Sequence, residues 1–163
     1  MSRGERGRNP IVLIFDEQMA RPRVDDPDTL PFWEGCREHR LVVQQCARCG
    51  EYRFAPVPLC HCCQSWETTW VESAGRGRVY TWTVTPRAIQ AGTASAVPYN
   101  TTVIELDDCG GALITSNVLD IDNDQLRPGL PVEVVWDDVS DDVTVPRFRP
   151  VSYSDREKAN DEH

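Results

Sequence analysis

Cys46-Ala47-Arg48-Cys49-Gly50 and Cys60-His61-Cys62-Cys63 are the two stretches that decide how this chain is built. Each holds a C-x-x-C pair, and ten residues (50–59) separate Cys49 from Cys60. Two such knuckles across a short loop match a tetrahedral site of four thiolates. Gly50 fits the pattern, because the backbone just past the second ligand of a knuckle takes a positive φ that glycine adopts freely. Gln64 stands at the same place in the second knuckle and predicts some strain there. Zinc is the default ion for four thiolates with no open position. Iron in a rubredoxin-like centre is the alternative, since soft thiolates suit both. A disulfide pair, or His61 or Cys62 replacing a neighbour as ligand, are the competing readings of the same residues. Four protein ligands leave no place for a reacting water, so the site is expected to be a structural staple for a core-poor segment.

Working outward, residues 29–40 predict a helix. Asp28 or Thr29 can cap it, and Pro31 sits in the first turn, where its missing N–H does no harm. Leu30, Trp33 and Cys36, with Phe32, give it an apolar stripe, suited to packing on the domain or to docking on another subunit. Residues 1–28 before it read as an N-terminal arm. Residues 41–72 read as a zinc ribbon, with Leu41-Val42-Val43 leading into the first knuckle and Thr68-Thr69-Trp70-Val71 leading out of the second. From residue 73 the signal is all β. Arg78 to Val84 alternates with β-branched and aromatic residues, and strands follow at 100–106, 112–119, 132–136 and 143–148. Asp107-Asp108-Cys109-Gly110-Gly111 is a hairpin turn, and Asp122 to Leu126 one helical turn. Five short strands with that helical turn between the third and fourth predict an OB-type barrel over residues 73–152. Residues 153–163 read as a polar tail. The expected fold is therefore mainly β: helix, ribbon, five-stranded barrel.

Composition narrows the function. The formal net charge is −9, and Lys158 is the only lysine; a tetrathiolate zinc takes the charge to about −11. Such a chain repels phosphate backbones, so nucleic acid is not the expected partner. The alternative of a single-stranded nucleic-acid module rests on the fold types and on Tyr80, Trp82 and Phe148 as stacking groups. Seven cysteines leave an odd three outside the metal pattern, which points to a reducing compartment and not to a disulfide framework. The apolar run Ile11–Phe15 is too short for a signal peptide or a membrane span, so a cytoplasmic protein is expected.

Groups able to do chemistry are sparse. Of three histidines, His39 ends the helix, His61 lies inside a knuckle and His163 is the last residue. Cys109 reads as an idle turn thiol. Asp137, Asp138, Asp141 and Asp142 read as a solvated acidic hairpin without a calcium-loop pattern. No phosphate or dinucleotide glycine motif occurs. The chain is thus expected not to be an enzyme on its own. Candidate contacts to a partner or to a CoA ester are Trp33, Tyr80 and Trp82 (the last two on one strand face by alternation), and Arg147 and Arg149, which flank Phe148.

Taken together, Phe32-Trp33-Glu34-Gly35, Leu41 to Gly50, the second knuckle, Gly75 to Trp82, Gly129 to Val134 and Pro146 to Pro150 resemble a known family. It is the acyl-CoA-associated zinc-ribbon/OB-fold family long catalogued as domain of unknown function thirty-five, and the resemblance covers roughly residues 28–152. It implies an accessory subunit of a thiolase-like enzyme. The nearest pattern is the auxiliary partner of lipid-transfer-protein-like thiolase homologues, which perform retro-aldol cleavage of a steroid side-chain β-hydroxyacyl-CoA. Chemistry would then lie on the other chain.

Overall fold

The computed structural model describes residues 22–88 and 91–151. The arm up to residue 21 and the tail from residue 152 lie outside the described residues. The order is α1 (Leu30–Arg37), β1 (Leu41–Cys46), β2 (Tyr52–Arg53), β3 (Thr68–Ser73), β4 (Arg76–Thr85), β5 (Tyr99–Leu106), β6 (Leu113–Ser116), β7 (Pro131–Ser140) and β8 (Val143–Pro150). One 3-10 turn, Ala91–Thr93, precedes β5, and another, Asn123–Gln125, falls between β6 and β7.

Helix α1 begins as Pro31 predicts, but neither expected cap acts through its side chain. Thr29 makes no side-chain cap bond; the main-chain carbonyl of Asp26 instead accepts from the N–H groups of Thr29 and Leu30. At the other end His39 takes φ +56°. The Arg40 N–H reaches back to the Gly35 carbonyl and the His39 N–H to that of Cys36, at 2.8 and 2.9 Å. This pair of bonds is a Schellman stop. A non-glycine residue sits there because its ring is occupied: His39 stacks on Trp136 with centroids 5.4 Å apart and bonds Asp138 at 2.9 Å.

Two antiparallel sheets follow. The ribbon sheet has the order β2-β1-β3 and the barrel sheet the order β6-β5-β4-β7-β8. The barrel is nearly closed by the chain leaving β6, where Val118 bridges Phe148 in parallel. The Leu119 N–H donates to the Phe148 carbonyl at 2.7 Å, and the Phe148 N–H to that of Asn117 at 3.0 Å. This is a zinc ribbon followed by a five-stranded OB barrel, as the pattern of strands and turns implies.

Ribbon and barrel share one core. Phe32 and Cys36 of α1, Leu41 and Val43 of β1, and Val79, Ile104, Ile114, Val132 and Phe148 of the barrel form a single buried cluster. Two further ties cross between the sheets. Asp108 in the β5–β6 turn accepts from the Ser73 hydroxyl and the Ala74 N–H, both at 2.7 Å. Gly110 in the same turn lies against Tyr52, where a Cβ would come within 2.8 Å of the ring; its φ of +59° also favours glycine. No helix among the described residues is long and apolar enough to cross a membrane.

Candidate metal centre

Cys46 ends β1, and the turn after it carries Cys49; Cys60 and Cys63 come from the loop between β2 and β3. The two knuckles are built alike. The Gly50 N–H returns to the Cys46 carbonyl and the Gln64 N–H to the Cys60 carbonyl, each at 2.9 Å. Gly50 takes φ +77° and Gln64 φ +58°. Gln64 therefore adopts the glycine conformation as a side-chain-bearing residue, at a cost of about 1–2 kcal/mol. The returning loop is fixed from below. Buried Gln44 accepts from the Val57 N–H at 2.9 Å, and buried Arg53 donates to the Val57 carbonyl at 3.2 Å and to the Thr68 hydroxyl at 3.0 Å.

The four sulfurs lie within 4.8 Å of one another. Cys46 to Cys63 and Cys49 to Cys60 are each 3.6 Å apart. A tetrahedron with metal–sulfur bonds of about 2.3 Å has edges of about 3.8 Å, so the set fits an ion without rearrangement. A disulfide, at about 2.05 Å between sulfurs, is a different geometry, and all seven cysteines are free. His61 and Cys62 do not enter the four-sulfur set; both are exposed and group with Glu51 instead. The geometry therefore favours the four-thiolate reading over the competing ligand and disulfide readings.

The electrostatics suit a cation. The Cys46 thiol is pulled down to about 6, first by the Cys49 N–H, with the Arg48 N–H and the Cys63 and Cys49 sulfurs adding against burial. Cys60 is lowered in the same way, chiefly by the Cys63 N–H. The Glu51 N–H draws Cys49 down, but the Cys63, Cys46 and Cys60 sulfurs and burial outweigh it and push that thiol up to about 12. Four sulfurs this close cannot all ionise unless a metal neutralises them, and ion binding releases the protons that remain. Once bound, four protein ligands close its coordination.

The other candidate residues are not brought together. Trp33 is half-buried beside Phe32, with ring centroids 5.0 Å apart. Tyr80 and Trp82 do not share a face. A bulge between Val79 and Thr81 makes Tyr80 the extra residue of β4, 58% exposed, and leaves Trp82 opposite buried Thr102 and packed on the core. Arg147 and Arg149 also part company. Arg149 is on the surface and donates to Glu133 at 2.9 Å. Arg147 is only 5% exposed, pairs with buried Asp137 at 3.3 Å and donates to the Asn117 amide oxygen. Burial lowers the guanidinium from its usual value and Asp137 opposes the shift. The acidic hairpin is therefore only partly solvated: Asp137 is buried and Asp138 is engaged by His39 and Thr144. Cys36 and Cys109 are inert thiols, pushed up to about 12 and about 11 chiefly by burial.

Sequence reasoning missed the polar chain behind Arg147. The Asn117 amide donates to the Asn100 carbonyl. The Asn100 side chain in turn accepts from the Val118 N–H at 2.8 Å and the Thr102 hydroxyl at 2.9 Å. No spacing signals this, because Asn100 and Asn117 lie 17 residues apart and Asn117 and Arg147 30.

Fold and centre together define a coordinatively closed four-cysteine ribbon fused to an OB barrel. Residues 33–67 match the family model for the ChsH2 rubredoxin-like zinc ribbon domain, and residues 70–137 that for the ChsH2 C-terminal OB-fold domain. The chain belongs to this ChsH2 (DUF35) family. It is 34% identical over 131 residues to a probable enoyl-CoA hydratase alpha subunit of Thermomonospora curvata, covering 80% of this chain but 40% of that protein. It is 30% identical to a DUF35 domain-containing scaffold protein of Methanocaldococcus jannaschii, over 68% of this chain and 77% of that one. Among solved structures, a chain of the Ltp2-ChsH2(DUF35) aldolase matches with a TM-score of 0.70 and 32% identity, over 80% of this chain and 98% of that chain.

Proposed function

We propose that this chain is a non-catalytic accessory subunit that binds and stabilises a thiolase-like, lipid-transfer-protein-like acyl-CoA enzyme, with zinc in its four-sulfur centre. One observation carries the reading: the similarity to a chain of a two-component aldolase spans nearly all of that chain. The site supports it from the side of chemistry. Retro-aldol cleavage of a β-hydroxyacyl-CoA needs a general base and a stabiliser for the developing enolate. Among the described residues, His39 is held by Trp136 and Asp138, His61 lies on the ribbon surface beside Glu51, and the cysteines are metal ligands, buried thiols or Cys62. In this reading the ribbon (41–72) and barrel (73–152) act as one scaffold in the cytoplasm, where thiolates stay reduced. The substrate, a steroid side-chain β-hydroxyacyl-CoA, is cleaved on the partner. Tyr80 and Arg149 are the contact candidates that are exposed, and Trp33 and Trp82 are half-buried.

Co-expression with a candidate thiolase-like partner enzyme tests the reading. The two chains should co-elute on size exclusion, and aldolase activity should need both. Separate elution, with activity indifferent to this chain, sinks the proposal. So does thioester turnover by this chain alone. Elemental analysis decides the metal: one zinc per four-cysteine centre is expected, and iron with a visible thiolate absorption would replace it.

A further inference from the structure

A second cluster of metal donors lies beside the first. Glu51 follows the first knuckle, and His61 and Cys62 occupy the interior of the second, between the ligands Cys60 and Cys63. A carboxylate oxygen of Glu51, a ring nitrogen of His61 and the sulfur of Cys62 all lie within 4.8 Å of one another. The knuckle that turns Cys60 and Cys63 inward turns the two residues between them outward. The outer set is thus ordered by the same backbone that builds the inner one.

We infer that Glu51, His61 and Cys62 form a second cation site, open to solvent, that takes a borderline divalent ion of the zinc type through one oxygen, one nitrogen and one sulfur. The donor set decides the class of ion. Calcium and magnesium want oxygen ligands, whereas zinc is held by all three of these atoms at about 2.0–2.3 Å. Around a tetrahedral zinc the oxygen and nitrogen donors stand about 3.3 Å apart. His61 Nε2 and Glu51 Oε1 are already 3.7 Å apart, so small side-chain rotations close the set. The field favours a cation as well. Four thiolates around a divalent ion keep two net negative charges, and the Glu51 carboxylate adds another. The same surroundings disfavour the rival reading of a Cys–His nucleophile, because an activated thiolate would be one more anion among anions.

Access distinguishes this site from the inner one. The His61 side chain is 65% exposed and that of Glu51 45%, and Cys62 is exposed. Three protein ligands leave the fourth position to water or to a donor from another molecule. The second ion should therefore exchange readily, whereas the inner one is held by four protein ligands, Cys46 and Cys60 among them buried, and by a folded loop.

Zinc titration of the full chain, with the inner centre loaded and a chromophoric chelator competing, tests this. Two equivalents per chain are expected, one resistant and one exchangeable. Glu51→Gln, His61→Asn and Cys62→Ser should each weaken the exchangeable site by about 100-fold or more, since even outer-shell partners of zinc are worth 10–100-fold, and should leave the resistant equivalent in place. With cobalt added to the zinc-loaded chain, a thiolate charge-transfer band should appear and vanish in Cys62→Ser. A single equivalent overturns the inference. A second equivalent that survives all three substitutions overturns it as well, being adventitious binding elsewhere on the acidic surface. Loss of the resistant equivalent in Cys62→Ser does the same, by placing Cys62 in the inner centre.

Discussion

The ribbon tip and the barrel are ordered by opposite means. Between residues 47 and 67 Cys60 is the one buried hydrophobic side chain, and Val57, Leu59 and Trp66 are exposed, Trp66 by 70%. A segment this poor in burial cannot offset its own conformational entropy, which amounts to about 1–2 kcal/mol per residue. Metal ligation supplies the missing free energy, on the order of 10 kcal/mol or more for a structural zinc. The barrel needs no ion, because Phe148, Ile104, Val132 and Val79 are essentially inaccessible to solvent. What it carries instead is a buried ionic chain, Asp137–Arg147–Asn117–Asn100. One region is thus held by local ligands, and the other by contacts between residues far apart in sequence.

The largest test of this contrast is Cys60→Ser. The ion should be lost, and amides from 47 to 67 should lose protection in hydrogen exchange, while those of β4, β5, β7 and β8 keep it. Simultaneous loss of protection in the barrel would break the comparison, and would mean that the metal also holds the core shared through Leu41 and Val43. Arg147→Met probes the other side. Stripping one partner from a buried pair costs about 3–5 kcal/mol, because the remaining charge is uncompensated. Denaturant unfolding should show that loss with metal content unchanged. The double change Arg147→Met, Asp137→Leu should recover most of it, since an apolar pair of similar volume is often neutral. A double variant as weak as the single one would show that the guanidinium, and not the pair, is what the barrel needs.

The same contrast explains what the sequence made legible. The knuckles declare themselves because a metal site is written in short spacings: Cys46 and Cys49, Gly50 with its positive φ, and the repeat at Cys60 and Cys63. The strands were readable because alternation is local, and Pro31 and the Gly-rich turn at 107–111 mark ends. Long-range placement was not readable. Alternation sends Arg147 and Arg149 to the same outer face, and only the approach of Asn117 from the end of β6 and Asp137 from β7 makes burial of Arg147 tolerable. His39 at a helix stop reads as a cation near the dipole. Its stacking on Trp136 depends on a hairpin 97 residues away in sequence.

Asp108 joins the two regions, so its loss is expected to sharpen the contrast by uncoupling them. Its carboxylate is buried enough to be raised, yet the bonds from Ser73, the Ala74 N–H and Cys109 more than offset this and hold it below the usual carboxylate value. A depressed folded value means that the stabilisation is fully present above the unfolded value of about 3.9. It is lost as pH falls from there through the folded value. Asp108→Asn should cost about 1.5–3 kcal/mol at pH 7, the range for hydrogen bonds to charged groups. It should also flatten stability against pH below about 4. An unchanged acid limb would mean that ribbon and barrel are coupled by the shared core alone.

Tyr80 gives the smallest expected effect on folding. It is the bulged residue of β4: Val79 pairs with Ile104 and Thr81 with Val103, so Tyr80 opposes nothing. Its side chain is 58% exposed and outside the core cluster. Removing an exposed side chain away from special features usually changes stability by no more than about 0.5 kcal/mol, and Tyr80→Ala should leave the melting curve and metal content as they are. Bulges recur where a strand re-aims a side chain, and an exposed tyrosine offers a large apolar face with a polar tip, as interface anchors do. If Tyr80 faces the proposed partner, the variant should weaken co-elution without weakening the fold. A variant that assembles normally removes this face from the interface and leaves the surface around Trp33 and Arg149 as the place to look. A variant that unfolds would mean that the bulge belongs to the stable barrel, and that the division between metal-held tip and core-held barrel runs elsewhere.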